Sequence, residues 1–180
     1  ASNGAKVVVN FHKSAIDAEH VVRQIKDEGG VAFSFKADVA DEAQVINMVS
    51  KTIDLYGSVD GLVNNASITA QISMDDLTSA TDQIWNELFD VNVKGMFHCV
   101  KAVVPHMKQQ GGGIIVNLGS VAGITGIGSS IPYAATKAAI HTMTRSLAIA
   151  LAPEIRVNAI APGAVDTSWW AGNEEKMYKL

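Results

Sequence analysis

Strand-like and helix-like stretches alternate five times along the 180 residues, and this rhythm constrains the fold more than any single motif. Short β-branched or apolar runs stand at 6–11, 31–37, 61–63, 114–116 and 156–160. Apolar residues between them recur at helical spacing. Ala18, Val21, Val22 and Ile25 mark the first interval, and Val45, Met48, Val49, Thr52 and Ile53 mark the second. Ser14 and Asp41 suit helix N-caps, Asp17 complements a first-turn dipole, and Gly29-Gly30 and Gly57 suit helix stops. Longer helices are expected over 82–107, with Pro105 tolerated near the end, and over 133–152. The strands read as continuous apolar runs, the pattern of strands buried on both faces. The prediction is therefore an α/β fold, a doubly wound parallel sheet covered by helices in three layers, α/β/α.

No linker, repeat or low-complexity segment breaks the alternation, so residues 1–180 are expected to form a single domain. A hydrophobic content of 48% with 18% charged residues is that of an ordinary globular chain. The net charge of −4 provides no basic footprint, and no run of 18 apolar residues is present; neither nucleic acid nor a membrane is expected as a partner. One cysteine, Cys99, excludes an internal disulfide framework and any multi-cysteine metal site, and the five histidines show no metal-ligand spacing. The expected location is cytoplasmic. ASNGAKVVVNF reads as a turn feeding a strand, so the domain is expected to be incomplete.

The chemistry concentrates in 113–137, GIIVNLGSVAGITGIGSSIPYAATK. A buried strand delivers Ser120 to a glycine-rich loop, and Tyr133 then opens a helix carrying Lys137 one turn on. Tyr133-x-x-x-Lys137 alone is a weak signal. It gains weight because Asn64-Asn65-Ala66, Ser120 and Pro162-Gly163 each follow a different strand. All then lie on the carboxyl rim of the sheet, where open α/β folds hold their ligands. A tyrosine near pKa 10 is a poor base at neutrality, and an adjacent ammonium such as Lys137 is expected to lower that value. Gly123-x-x-Gly126-x-Gly128 is not read as a phosphate loop: Pro132 intervenes, and no tight strand-to-helix turn is formed.

On these residues the chain resembles the short-chain dehydrogenase/reductase family, most closely its 3-oxoacyl-[acyl-carrier-protein] reductase branch. Asn64 to Ser67 match the family's Asn-Asn-Ala-Gly turn, with Ser67 in place of glycine. Asn92 in NVKG, Ser120, the Tyr133/Lys137 pair, and Pro162-Gly163 with Thr167 match its other motifs. The resemblance implies a Rossmann-like fold and hydride transfer between a nicotinamide cofactor and a ketone or secondary alcohol. Tyr133 would be the general acid/base and Ser120 would bind the reacting oxygen. Lys137 would hold the nicotinamide ribose, and Asn92 would keep a water in line with Lys137. It further places Asp38 and Val39 at the adenine, Asn65 and Ala66 along the adenosine ribose, and Pro162, Gly163, Val165 and Thr167 beside the cofactor. It also implies a homotetramer built on the helices over 82–107 and 133–152. The family's glycine-rich opening unit precedes KVVVNF, and its final segment follows the equivalent of residue 180. A polypeptide starting at Ala1 is therefore expected to bind nucleotide poorly, and the domain to be incomplete at both ends.

Cofactor choice is read at the end of the first strand, where a carboxylate would favour NAD(H). Asn10 stands there, followed by His12, Lys13 and Ser14, so NADP(H) is the expected preference, with NAD(H) the alternative. Trp169 and Trp170 are read either as pocket walls or as lid packing. Three functional readings stand: a 3-oxoacyl reductase-like oxidoreductase, an NAD(P)-dependent sugar or polyol dehydrogenase, and a non-catalytic nucleotide-binding protein.

Overall fold

The computed structural model describes residues 1–165 and Thr167; Trp169 and Trp170 lie outside the described residues. Strand β1 (Lys6–Phe11), helix α1 (Ala15–Asp27), β2 (Val31–Lys36) and α2 (Glu42–Tyr56) form the first half. Strand β3 (Gly61–Asn64) follows, then α3 (Asp82–Phe89), a π-helical turn (Asp90–Gly95) and α4 (Met96–Gln109). The chain continues through β4 (Gly113–Leu118), α5 (Ala122–Thr125), α6 (Ile131–Leu151) and β5 (Ile155–Ile160). Each strand pairing is parallel, and the fold is α/β, Rossmann-like.

The hydrogen bonds divide the strands into two parallel sets, β1–β2 and β3–β4–β5, rather than one continuous ladder. That division explains why β3 is not the fully buried strand its sequence suggests. Among the described residues β3 pairs only with β4, and Val63 is left 63% exposed. The main core lies where α4 and α6 pack beside β4 and β5, around Val100, Val103, Met107, Ile115, Leu151 and Ile155. Met107 and Ile115 are completely buried, and side chains of that kind each contribute about 1.5–3 kcal/mol through removal from water. A smaller cluster of Val39, Val45 and Cys99 seals α2 against α4. It is flanked by the Lys101–Glu42 ion pair and by His98 Nδ1, 3.0 Å from the Val39 carbonyl.

Local signals set most element ends. Asp41 accepts hydrogen bonds from the Ala43 and Gln44 amides at the start of α2, and Gly57, at φ 84°, closes that helix. Ser14 stands at the N-cap position of α1 but makes no side-chain cap bond. Helix α6 begins two residues before Tyr133. Ser130 caps it by accepting from the Tyr133 amide, with Pro132 in its first turn, where a missing N–H costs nothing. The helix expected over 82–107 is interrupted by the π-helical turn that carries Asn92 and runs on to Gln109. The glycine-rich loop after Ser120 holds a short helix, α5, which the sequence did not suggest.

Candidate active site

Strand β4 ends at Leu118, and the next three residues are held from several sides. Gly119 N–H donates to the Ile160 carbonyl at 2.8 Å, and Val121 N–H donates to the Pro162 carbonyl at 3.0 Å. Ser120 Oγ accepts from the Ala122 amide at 3.1 Å. Ser120 therefore projects from a fixed corner where β4, β5 and α6 converge. Helix α5 packs directly on α6 at Gly123, where an added Cβ would stand 2.5 Å from the Lys137 carbonyl carbon and 2.6 Å from the Ala138 nitrogen. Only a residue without a side chain allows that approach. This glycine thus serves the close packing of α5 on α6 that brings Ser120 to Tyr133.

Ser120, Tyr133 and Lys137 line one cleft of about 350 Å³. Asn65, Pro162, Gly163, Val165 and Thr167 line the same cleft. The phenol of Tyr133 is hydrogen-bonded to Ser120, a contact that favours the ionised form, but burial outweighs it and raises the phenol above its ordinary value. The expected lowering by Lys137 is not what the structure gives. The ammonium lies 5.5 Å from the centre of the Tyr133 ring and donates instead to the Leu118 carbonyl at 2.9 Å. Lys137 is only 3% exposed, and burial brings it down from 10.5 to about 8. Among the described residues no carboxylate forms an ion pair with it.

Asn92 does not reach this cleft; it braces the wall behind it. Its Oδ1 accepts from Ser67 Oγ at 3.0 Å and from the Ile68 amide at 2.8 Å. Its Nδ2 donates to the Ile68 carbonyl at 3.0 Å and to Thr136 Oγ1 at 3.1 Å. Thr136 in turn donates to the Tyr133 carbonyl at 2.7 Å. The amide's two donors and two acceptor positions are all engaged, so the side chain itself holds no place for a water beside Lys137. Ser67, the departure from glycine in the Asn-Asn-Ala turn, supplies one of those bonds. A second polar ladder crosses the sheet. Asn64 donates to Asn117 at 2.9 Å, Asn117 to Thr144 at 2.9 Å, and Thr144 to the Ile140 carbonyl at 2.7 Å.

The residues expected at the adenosine end form a separate group at the carboxyl ends of β1 and β2. Asn10 turns its amide nitrogen onto the Phe35 and Ala37 carbonyls at 3.2 and 3.0 Å. His12 Nδ1 stands 3.7 Å from Asp38 Oδ2, while Lys13 is exposed and Val39 is buried in the α2–α4 seam. Asn65 opens into the cleft of Ser120 and Tyr133, whereas the exposed Ala66 does not line it. Thr136, Asn117 and Thr144 were not singled out in the sequence. A hydroxyl one position before Lys137 was the only available signal for the first, and nothing periodic marks the other two.

Residues 1–177 match the short chain dehydrogenase family. The chain belongs to that family. It is 40% identical over 166 residues to the 3-oxoacyl-[acyl-carrier-protein] reductase FabG of Staphylococcus aureus (strain Mu50), covering 92% of this chain and 66% of that protein. Its fold superposes with TM-score 0.85 on a gluconate 5-dehydrogenase from Burkholderia cenocepacia solved with NADP and tartrate, at 33% identity, covering 96% of this chain and 66% of that one. A 7α-hydroxysteroid dehydrogenase solved with NADH and 7-oxo glycochenodeoxycholic acid gives 0.86 at 34% identity, over 96% of this chain and 66% of that one. The chain thus spans about two-thirds of the length of these relatives. Short-chain dehydrogenases use NAD(H) or NADP(H). Lys137 spends one of its three N–H donors on the Leu118 carbonyl, which leaves two that could reach hydroxyl groups of a bound cofactor.

Proposed function

We propose that the protein carrying this chain is an oxidoreductase that reduces a ketone to a secondary alcohol, with Tyr133 as general acid and a 3-oxoacyl thioester as the best substrate class. The observation that carries the reading is the convergence of Ser120, Tyr133 and Lys137 on one cleft, with a phenol that burial keeps protonated. The nicotinamide, when bound, supplies the hydride to the carbonyl carbon. Ser120 Oγ donates a hydrogen bond to the carbonyl oxygen and fixes its direction. Tyr133 delivers its proton to that same oxygen as negative charge develops there. Lys137 would hold the ribose hydroxyls with the N–H donors it does not spend on Leu118. Asn92, through Ser67, Ile68 and Thr136, keeps the loop after β3 in register with the first turn of α6.

The acyl reading draws on the apolar rim of the cleft, where Val121 and Ile127 are 39 and 58% exposed. A substrate with an alkyl or thioester arm beyond the ketone covers such a rim; a polyol does not. The sugar or polyol reading is favoured by the likeness to the gluconate dehydrogenase solved with tartrate. Initial rates of the full-length protein on acetoacetyl-N-acetylcysteamine thioester, 5-ketogluconate and cyclohexanone separate the readings. The thioester is expected to give the highest kcat/KM. Highest turnover of 5-ketogluconate overturns the acyl reading, and no turnover of any leaves a nucleotide-binding protein.

Preference for NADP(H) rests on Lys13 and His12 at the end of β1, where no carboxylate follows the strand directly. Lys13→Glu is expected to lower kcat/KM for NADPH about tenfold, with little change for NADH. A wild-type preference for NADH refutes this. We also propose the homotetramer, through the outer faces of α4 and α6, where Phe97 and Ile149 are 44 and 81% exposed. A monomeric sedimentation coefficient of the full-length protein excludes it.

A further inference from the structure

Helix α6 reaches the end of β4 at two places. Lys137 Nζ donates to the Leu118 carbonyl at 2.9 Å, and one turn on His141 Nε2 lies 2.9 Å from the Ser120 carbonyl. The first carbonyl closes β4 and the second belongs to the loop beyond it, so two successive turns of α6 hold the chain on both sides of Gly119. A carbonyl only accepts, so Nε2 carries a proton in this contact.

A second, independent feature marks the imidazole as built into the loop. A Cβ placed on Gly119 would stand 2.4 Å from His141 Cε1 and 2.9 Å from its Nε2. The ring thus fills the space beneath the residue before Ser120. Gly119 to Ile160 and Val121 to Pro162 tie this segment to β5 and the chain just after it, and Gly123 N–H donates to the same Ser120 carbonyl at 3.1 Å from within the loop. Two other α6 side chains reach this segment, Lys137 at Leu118 and Tyr133 at Ser120, and in the proposed mechanism both also serve the reaction.

We propose that His141 is a positioning residue. Its Nε2–H, bonded to the Ser120 carbonyl over Gly119, sets the direction of Ser120 Oγ toward the substrate carbonyl. This inference rests on Ser120 acting as the proposed oxygen-binding residue. His141 does not itself line the cleft; it acts on Gly119 and Ser120, which do.

The test is a double-mutant cycle in the full-length protein, assayed with NADPH and whichever of the three carbonyl probes above is turned over best. His141→Leu removes the donor. It is expected to lower kcat about 10- to 100-fold, the penalty of a misplacement near 1 Å, with the NADPH dissociation constant unchanged. Gln places an amide nitrogen where Nε2 lies, so His141→Gln is expected to restore most of kcat, whereas His141→Asn, too short, does not. In a Ser120→Ala background His141→Leu is expected to cost little more. Wild-type turnover by Ser120→Ala refutes the role of Ser120 itself. An impaired Ser120→Ala beside a fully active His141→Leu, or full additivity of the two, overturns the proposal for His141 alone. Should His141→Leu fail to fold, equal activity of the Gln and Asn variants overturns it.

Discussion

Lys137 gives the sharpest quantitative consequence of burial. An exposed lysine titrates near 10.5, and burial brings this one to about 8. At 1.36 kcal/mol per pK unit the gap corresponds to about 3 kcal/mol of folding free energy. Below pH 8 the folded and unfolded chains both carry the proton, and the folded state bears the full penalty of a buried charge. Between about 8 and 10.5 the folded state has lost the proton while the unfolded state still holds it, so stability rises with pH across that window. Lys137→Met keeps the length of the side chain and removes the charge. Against the relief of about 3 kcal/mol stands the Leu118 carbonyl, left without its donor at a cost of about 1–2 kcal/mol. The expected outcome at pH 7 is a variant that is catalytically dead yet more stable by about 1–2 kcal/mol, a rise of a few degrees in Tm. Urea unfolding of both full-length proteins without cofactor, from about pH 6.5 to 10, measures it. The wild type should gain on the variant as pH rises, closing the difference. A variant less stable at pH 7, with parallel pH profiles, refutes the reasoning.

Three further consequences follow from packing and hydrogen bonding. Gly123→Ala drives a methyl into the α6 backbone at Lys137 and Ala138; a loss of about 1–3 kcal/mol in chemical denaturation is expected, with kcat falling as α5 lifts off α6. Thr136→Val keeps the shape but strips one of the two Asn92 Nδ2 hydrogens of its acceptor, for an expected cost of about 1–3 kcal/mol by the same assay; Thr136→Ser should recover most of it. The thiol of Cys99, pushed up by burial to about 11, should resist a disulfide reagent in the native protein and react once urea unfolds the chain.

What could be read from the sequence divides along a physical line. The α/β alternation, the Asp41 cap, the Gly57 stop and the meeting of Ser120, Tyr133 and Lys137 all depend on local propensity or on the polarity of parallel strands. Those signals are printed in short windows. The bracing of Asn92 by Ser67, Ile68 and Thr136 joins residues 24 to 44 positions apart, and the Asn64–Asn117 bond spans 53. No periodicity announces such pairs. The division of the strands into two sets and the exposure of Val63 likewise depend on which edges find partners. The direction of the Tyr133 shift went the other way from expectation for a related reason. A neighbouring lysine is visible in sequence, but the depth at which both groups are buried, and the turn of the ammonium toward Leu118, are not.

The central claim is that Tyr133 is the proton donor, and Tyr133→Phe in the full-length protein tests it most directly. Removing one hydroxyl should lower kcat by about 10²- to 10⁴-fold while NADPH binds with nearly wild-type affinity, because the ring and Lys137 remain in place. Turnover near the wild-type rate would contradict the account.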